Sequence, residues 1–409
     1  MNPSDPYRRD IIASNADGGG YSLMVGLGET YFAAFAIAVQ FSDAAVGLLT
    51  TVPMMAGSVV QLISPTAVGR LASVRGWTVL TVVVQALSFV PLVLMAAFHR
   101  APAWLVFAAI TFYWAGGQAA GATWVTWMER VIPPRLRARF FAGRARTCQA
   151  CTLIGLAVGG LTLQAASTRH MEVSAFVLLF GVAALGRLFS AGSLLVQSAT
   201  SIRAHELRTV SLVEMGGRIR HAADGRLLIY LAALQTGAQL AGPYFAPFML
   251  SRLQFSYAEY MVLIATFYLT KVVASPPLGR LVPRIGAKRL LWIGGLGIVP
   301  LAAAWIVSSS FWYLLLVQVA SGIAWAAHEL ASPLLYFEMI PERERTSVLT
   351  VFNLMNATAM ASGAVIGGAV LHALGANVQA YYMLFALSSL TRLAAIPLLA
   401  RVRTATAHP

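Results

Sequence analysis

The sequence predicts an all-α membrane protein: twelve transmembrane helices forming two pseudo-symmetric six-helix bundles. Three observations predict it. The 409-residue chain is 58% apolar and only 11% charged, against a charged share of about 25% in ordinary soluble chains, and its mean hydropathy is +0.72. Its apolar residues gather into runs of about 20, the length that crosses a bilayer as a helix. Short motifs of the first half return, in order, in the second.

The spans follow from the apolar runs and from the basic loops that separate them. Spans 19–41 and 44–66 lead to a loop with Arg70 and Arg75. Spans 77–98 and 102–127, joined past Arg100, lead to a stretch with six arginines from Arg130 to Arg146. Spans 147–167 and 174–198, joined past Arg169, precede a polar segment with five more from Arg203 to Arg226. The second half gives 226–250, 257–278, 288–308, 311–335, 347–373 and 379–400, with Arg280, Arg284, Lys288 and Arg289 in one loop and Arg343 and Arg345 in another. Helical runs of this length exclude a β-barrel, whose strands alternate over shorter segments. With the N terminus in the cytoplasm, inner segments hold 23 of the 29 Lys and Arg, and outer loops hold three: Arg100, Arg169 and Arg252. That asymmetry sets both termini inside. It also explains the net charge of +14 as a topology signal, so nucleic acid is not an expected partner. The start "MNPSDPYRRD" reads as no cleavable signal, because the first apolar run is too long and lacks a small-residue cleavage site. Cys148 and Cys151, in "CQAC", are expected to pack rather than to bind metal or cycle redox state.

"GRLASVRG" (69–76) returns as "GRLVPRIG" (279–286), 210 positions later, and "IPPRLRAR" (132–139) returns as "IPERERTS" (340–347), shifted by 208. "GLAVGG" (155–160) returns as "GAVIGG" (363–368), also by 208, and "LFGVAALGRL" (179–188) as "LFALSSLTRL" (384–393), by 205. Four ordered matches at nearly one offset divide the chain into an N-terminal bundle, 1–200, a cytoplasmic central loop, 201–225, and a C-terminal bundle, 226–409.

Two parallel six-helix repeats around a basic central loop resemble the major facilitator superfamily over the whole chain. Gly69, Leu71, Arg75 and Gly76 match that family's signature loop, as do Gly279, Leu281, Arg284 and Gly286 in the second copy. Ser73 and Pro283 stand where the family has Asp, so the family's usual charge relay between helix ends is not implied. Gly155, Gly159 and Gly160 resemble the family's antiporter motif without its proline; small residues four apart, repeated at Gly363, Gly367 and Gly368, are explained by close helix packing. The resemblance implies that spans one, four, seven and ten line a central pathway, with a site near the midplane. It also implies a multi-pass protein of the bacterial inner membrane, acting as a monomer.

Polar groups inside membrane helices are costly and mark function by default. Arg187 and Arg392 occupy equivalent places in spans six and twelve, so a duplicated structural anchor, bonding carbonyls or snorkelling, is expected for them. The asymmetric groups are more telling. Glu29 lies mid-span on a face with Gly26, Ala33, Ala36 and Gln40, suited to a cavity wall. A carboxylate with no basic partner in an apolar site favours its neutral form, so Glu29 is a candidate proton-binding or cation-recognising group. Lys271 has Gln61 as its repeat mate, and its sign and depth suit a pair with Glu329. His328 and Glu329, with Glu29, are the candidate proton-coupling set. Gln118, Gln235 and Gln239 are candidate polar contacts for a substrate, and Trp114 and Trp325 candidate stacking surfaces, while Trp127 reads as an interfacial anchor.

These residues point to a secondary transporter of a small organic solute, working by alternating access and coupled to protons. An acid on each half with an aromatic fringe suits efflux of a cationic or amphipathic compound; a free Lys271 would suit uptake of an anionic metabolite. A receptor or assembly factor on the same fold is the second class, and would carry mutually neutralised charges. An ATP-driven pump lacks its G-x-x-x-x-G-K-[ST] loop, and a membrane enzyme lacks its marks: "HEL" has no second histidine, and there is no G-x-S-x-G elbow. No cofactor or metal is expected. The partners are a small molecule, protons and membrane lipid.

Overall fold

The computed structural model describes residues 7–41, 43–49, 51–71, 73–167, 171–198, 208–375 and 377–402, and among these every regular element is helical. Arg169, Arg203, Glu206 and Arg403 lie outside the described residues. In order the helices are α1 (Arg8–Ala38), α2 (Val52–Leu71), α3 (Val74–Ala97), α4 (Ala103–Val131), α5 (Pro134–Ser167) and α6 (Glu172–Val196). A loop helix α7 (Leu212–His221) precedes α8 (Ala223–Ala241) and α9 (Tyr257–Ile285). They are followed by α10 (Ala287–Val307), α11 (Phe311–Met339), α12 (Glu342–Ala373) and α13 (Val378–Ala400). Each of the twelve predicted spans coincides with one of these helices over most of its length, while residues 44–49 fall in a separate short helix, Asp43–Leu49, and 242–250 follow α8 as short helical turns. Ten helical stretches of the described residues are long and apolar enough to cross a membrane by length and composition. Helices α4 and α8 fall short because glutamines, glycines and terminal charges dilute their apolar residues.

By contact the chain divides into two compact units: Met1–Thr209 with Glu342–Leu354, and Val210–Pro341 with Met355–Pro409. In the first, α1 packs on α5 and α6, α3 on α4 and α6, and α2 on α4. Helices in lipid gain little from hydrophobic burial against each other, so close backbone approach carries the association. At Gly26 a Cβ would stand 2.5 Å from the Thr152 carbonyl oxygen and 2.9 Å from Cα of Gly155, so α1 and α5 meet backbone to backbone. Phe32, Phe35, Phe89, Phe176 and Phe180 form an aromatic core nearby. The first turns of α12 belong to this unit, where Arg345, 1% exposed, pairs with Glu129, and Glu342 with Arg130.

In the second unit α8 packs on α13, and α9 and α10 both pack on α11. The α1–α5 joint recurs here between α8 and α12: a Cβ at Gly363 would stand 2.5 Å from the Thr236 carbonyl oxygen. Each joint is closed by a phenol. Tyr31 donates to Leu156 O at 2.6 Å across Gly159, and Tyr244 donates to Ala364 O at 2.6 Å across Gly367 and Gly368. The repeated glycines are thus packing positions.

The signature loops act locally. Ser73, extended at φ −146°, accepts the Gly76 N–H at 2.9 Å and caps α3, a task that Ser and Asp perform about equally. Arg75 donates to Leu195 O, beside the C-terminal end of α6, where a cation is favoured. Gly69 has open space around it, Gly279 is buried within α9, and Arg284 is exposed. Gly286 alone separates α9 from α10, at φ 83° and ψ 155°, a conformation open essentially to glycine only.

Candidate functional site

Glu29 sits just after a break in α1 at Gly28, in a single 3-10 turn, Glu29–Tyr31. Its carboxylate accepts the Tyr113 hydroxyl of α4 at 2.5 Å. Tyr113 is buried, edge-on to Phe32, Phe89 and the half-buried Trp114, whose ring centroid is 5.6 Å away. Among the described residues Glu29 has no ion pair. The face counted around it is different from the expectation: Gly26 is against α5 and Ala36 is in the aromatic core, so both pack helices rather than line a cavity. Gln118, a turn beyond Trp114, reaches Met54 O at 3.5 Å through Nε2, while its Oε1 is buried without a partner among the described residues. Trp127 is fully buried and donates to Ser198 O at 3.1 Å, so it is a packing residue rather than an interfacial anchor.

A cluster the sequence reading missed lies in the same unit. Asp17, 2% exposed, accepts Arg144 at 2.8 Å and Ser190 at 2.7 Å, with Arg187 at 3.9 Å. Arg187 also donates to Gln85 and Ser190, at 2.8 Å each, and lies over the Tyr21 ring at 4.7 Å. Arg144 covers Trp124 at 4.3 Å. Asp17, Tyr21, Trp124, Arg144 and Arg187 line a small cavity of about 160 Å³. Arg187 is therefore held by side chains, not by the carbonyls expected of an anchor.

The second unit holds a larger cavity, about 610 Å³, within the 300–1,000 Å³ usual for small-molecule sites. Gln235 and Gln239 of α8 line it, as do Gln318, Ser321 and Trp325 of α11, Tyr268 of α9, and Trp305. Arg392 of α13 is its only charged residue among the described residues. Its guanidinium donates to Ile298 O at 3.0 Å, and its Nε is buried without a partner among the described residues.

Lys271 and Glu329 come together: Nζ lies 2.8 Å from one carboxylate oxygen and 2.7 Å from the other. Lys271 is buried and also lies 5.1 Å from the centre of the Phe267 ring. His328 is buried between Tyr230 and Trp325, and its Nε2 has no partner among the described residues. The structure thus sorts the predicted residues into separate places. Gln235, Gln239 and Trp325 share the large cavity; Lys271 and Glu329 form a pair; Glu29, Trp114 and Gln118 belong to the first unit.

The sequence model of the Major Facilitator Superfamily matches residues 227–409. No curated protein sequence matches the chain. Among solved structures, the human organic anion transporter MFSD10 (TETRAN) is similar over 97% of this chain and 100% of its own, at 16% identity and TM-score 0.70. A bacterial homologue of the iron transporter ferroportin, outward-facing with soaked iron, covers 97% and 99% at 12% identity and TM-score 0.71. FucP, a Major Facilitator Superfamily transporter in the outward conformation, covers 98% and 100% at 10% identity and TM-score 0.74.

Proposed function

We propose that this chain, whose fold is the major facilitator fold and whose residues 227–409 match that superfamily, is a secondary transporter of a small organic solute. The observation that carries the reading is the cavity of about 610 Å³ in the second unit, where glutamine, serine and tyrosine groups face tryptophan rings. Few convergent polar groups on an aromatic wall are what a small-molecule site requires. The chain would work by alternating access in the bacterial inner membrane, with both termini cytoplasmic; the division of basic residues, 23 inner against three outer, supports that orientation.

Coupling to protons is assigned to Glu29. Its hydroxyl partner Tyr113 is neutral, and no cation among the described residues holds the carboxylate ionised. A site of this kind can load a proton from one side and release it to the other. Glu329, by contrast, has its charge balanced by Lys271. The test uses proteoliposomes and a solute found by ligand-induced thermal stabilisation. Glu29→Gln keeps size and hydrogen bonding but freezes the neutral state; it should abolish accumulation driven by a pH gradient and spare exchange without one. Gradient-driven accumulation at the wild-type rate would remove Glu29 from the cycle.

A further inference from the structure

We infer that the cavity of the second unit binds an organic anion, with its acidic group on Arg392 and its apolar body against Trp305, Phe245 and Trp325. This names the charge of the cargo in the transport cycle proposed above, and so rests on that reading. Arg392 is 4% exposed, yet it lines the cavity. The fold makes room for it: at Gly237 of α8 a Cβ would stand 2.9 Å from Cγ of Arg392, so only a glycine lets the side chain pass there. Of the guanidinium's five N–H donors, Ile298 O takes one at 3.0 Å, while Nε is buried and has no partner among the described residues. A buried cation needs a counter-charge, and the cavity wall has no acid among the described residues. Of the other acids in the unit, four are engaged, Glu329 with Lys271, Asp224 and Glu214 with Arg218, and Glu259 with Ser256, and the fifth, Glu338, is exposed near the end of α11 and does not line the cavity. A planar carboxylate brings both the missing charge and acceptors that match a guanidinium fork. Gln235 and Gln239 add amide groups on the same wall.

The experiment is calorimetric titration of the full-length protein in phosphatidylcholine nanodiscs with 2-naphthoate, 2-naphthamide and 2-naphthylmethylamine, which share a body and differ in charge. Naphthoate should bind at least tenfold more tightly than the other two. Arg392→Gln should bring the three within about threefold. Should that variant fail to fold, Gln235→Glu decides: it keeps Arg392 and supplies an acid to the same cavity, and it should erase the preference for naphthoate equally. Lipid phosphate offers the same chemistry, so the titration is repeated in phosphatidylglycerol nanodiscs, where an unchanged naphthoate affinity supports a solute site. Four results would overturn the inference: no naphthoate binding, equal binding of naphthoate and naphthamide, a preference that survives in every folded variant, or a tenfold loss of naphthoate affinity in phosphatidylglycerol. Solute exchange in proteoliposomes alongside any of these would leave the transport reading standing and remove only the anion.

Discussion

Breaking the pair between Lys271 and Glu329 should cost very different amounts from its two ends. The Lys271 side chain is 6% exposed and that of Glu329 43%. In Glu329→Ala the ammonium stays buried without its counter-charge, and stranding one member of a buried pair costs about 3–5 kcal/mol. The Phe267 ring, 5.1 Å from Nζ, offsets about 1 kcal/mol of that, leaving a net loss of about 2–4 kcal/mol. Lys271→Ala leaves a carboxylate with nearly half its surface open, for which the loss resembles that of a surface pair, about 0–1 kcal/mol. The double variant buries no unpaired ion and should lie near Lys271→Ala. For 409 residues, an unfolding entropy of about 2.1 cal/mol/K per residue converts 3 kcal/mol into about 3–4 °C. Thermal unfolding of the purified protein, followed by intrinsic fluorescence, reads all four forms. Glu329→Ala should melt about 3–4 °C low, and adding Lys271→Ala to it should restore most of the loss. Equal losses in the two single variants, or a strictly additive double variant, would refute the reasoning.

Two further stability outcomes follow from backbone geometry. Gly26→Ala drives a methyl group against the Thr152 carbonyl, 2.5 Å away, and should cost about 1–3 kcal/mol; Gly143→Ala, which meets nothing within 4 Å, should be neutral or raise the melting temperature slightly. Thermal melts of both variants check this. At the cap of α3, Ser73→Ala should lose about 0.5–2 kcal/mol, whereas Ser73→Asp should hold wild-type stability, because either side chain can accept the Gly76 N–H.

The helices were legible because bilayer thickness fixes their length and the apolar runs show it directly. The repeat was equally legible, and the matching Tyr31 and Tyr244 joints express it in three dimensions. Partners were less so. Apolar length places a helix but not its neighbours, so Tyr113, one residue before the Trp114 that was singled out, went unrecognised as the group on Glu29. Asp17 was missed for a different reason. The first span was begun at residue 19, where the apolar run starts, while α1 begins at Arg8. Asp17, which the apolar run leaves outside the span, is therefore buried against Arg144, and the aspartate and arginine cancel each other's polarity in space but not along the sequence. Arg187 and Arg392 looked alike as a duplicated pair, yet one is held by Asp17, Gln85 and Ser190 and the other by a single carbonyl. Repetition in sequence preserved the residue and not its company.

Gly286 has a mechanical consequence. With Ile285 ending one helix and Ala287 beginning the next, the connection between α9 and α10 has no slack. The two helices cannot slip lengthwise past each other by a turn, about 5.4 Å, without unravelling an end. Any relative movement of the two helices must therefore turn about their shared end at Gly286 rather than slide. Lengthening that connection with a few flexible residues would uncouple the two helices while leaving every side chain of the cavity in place.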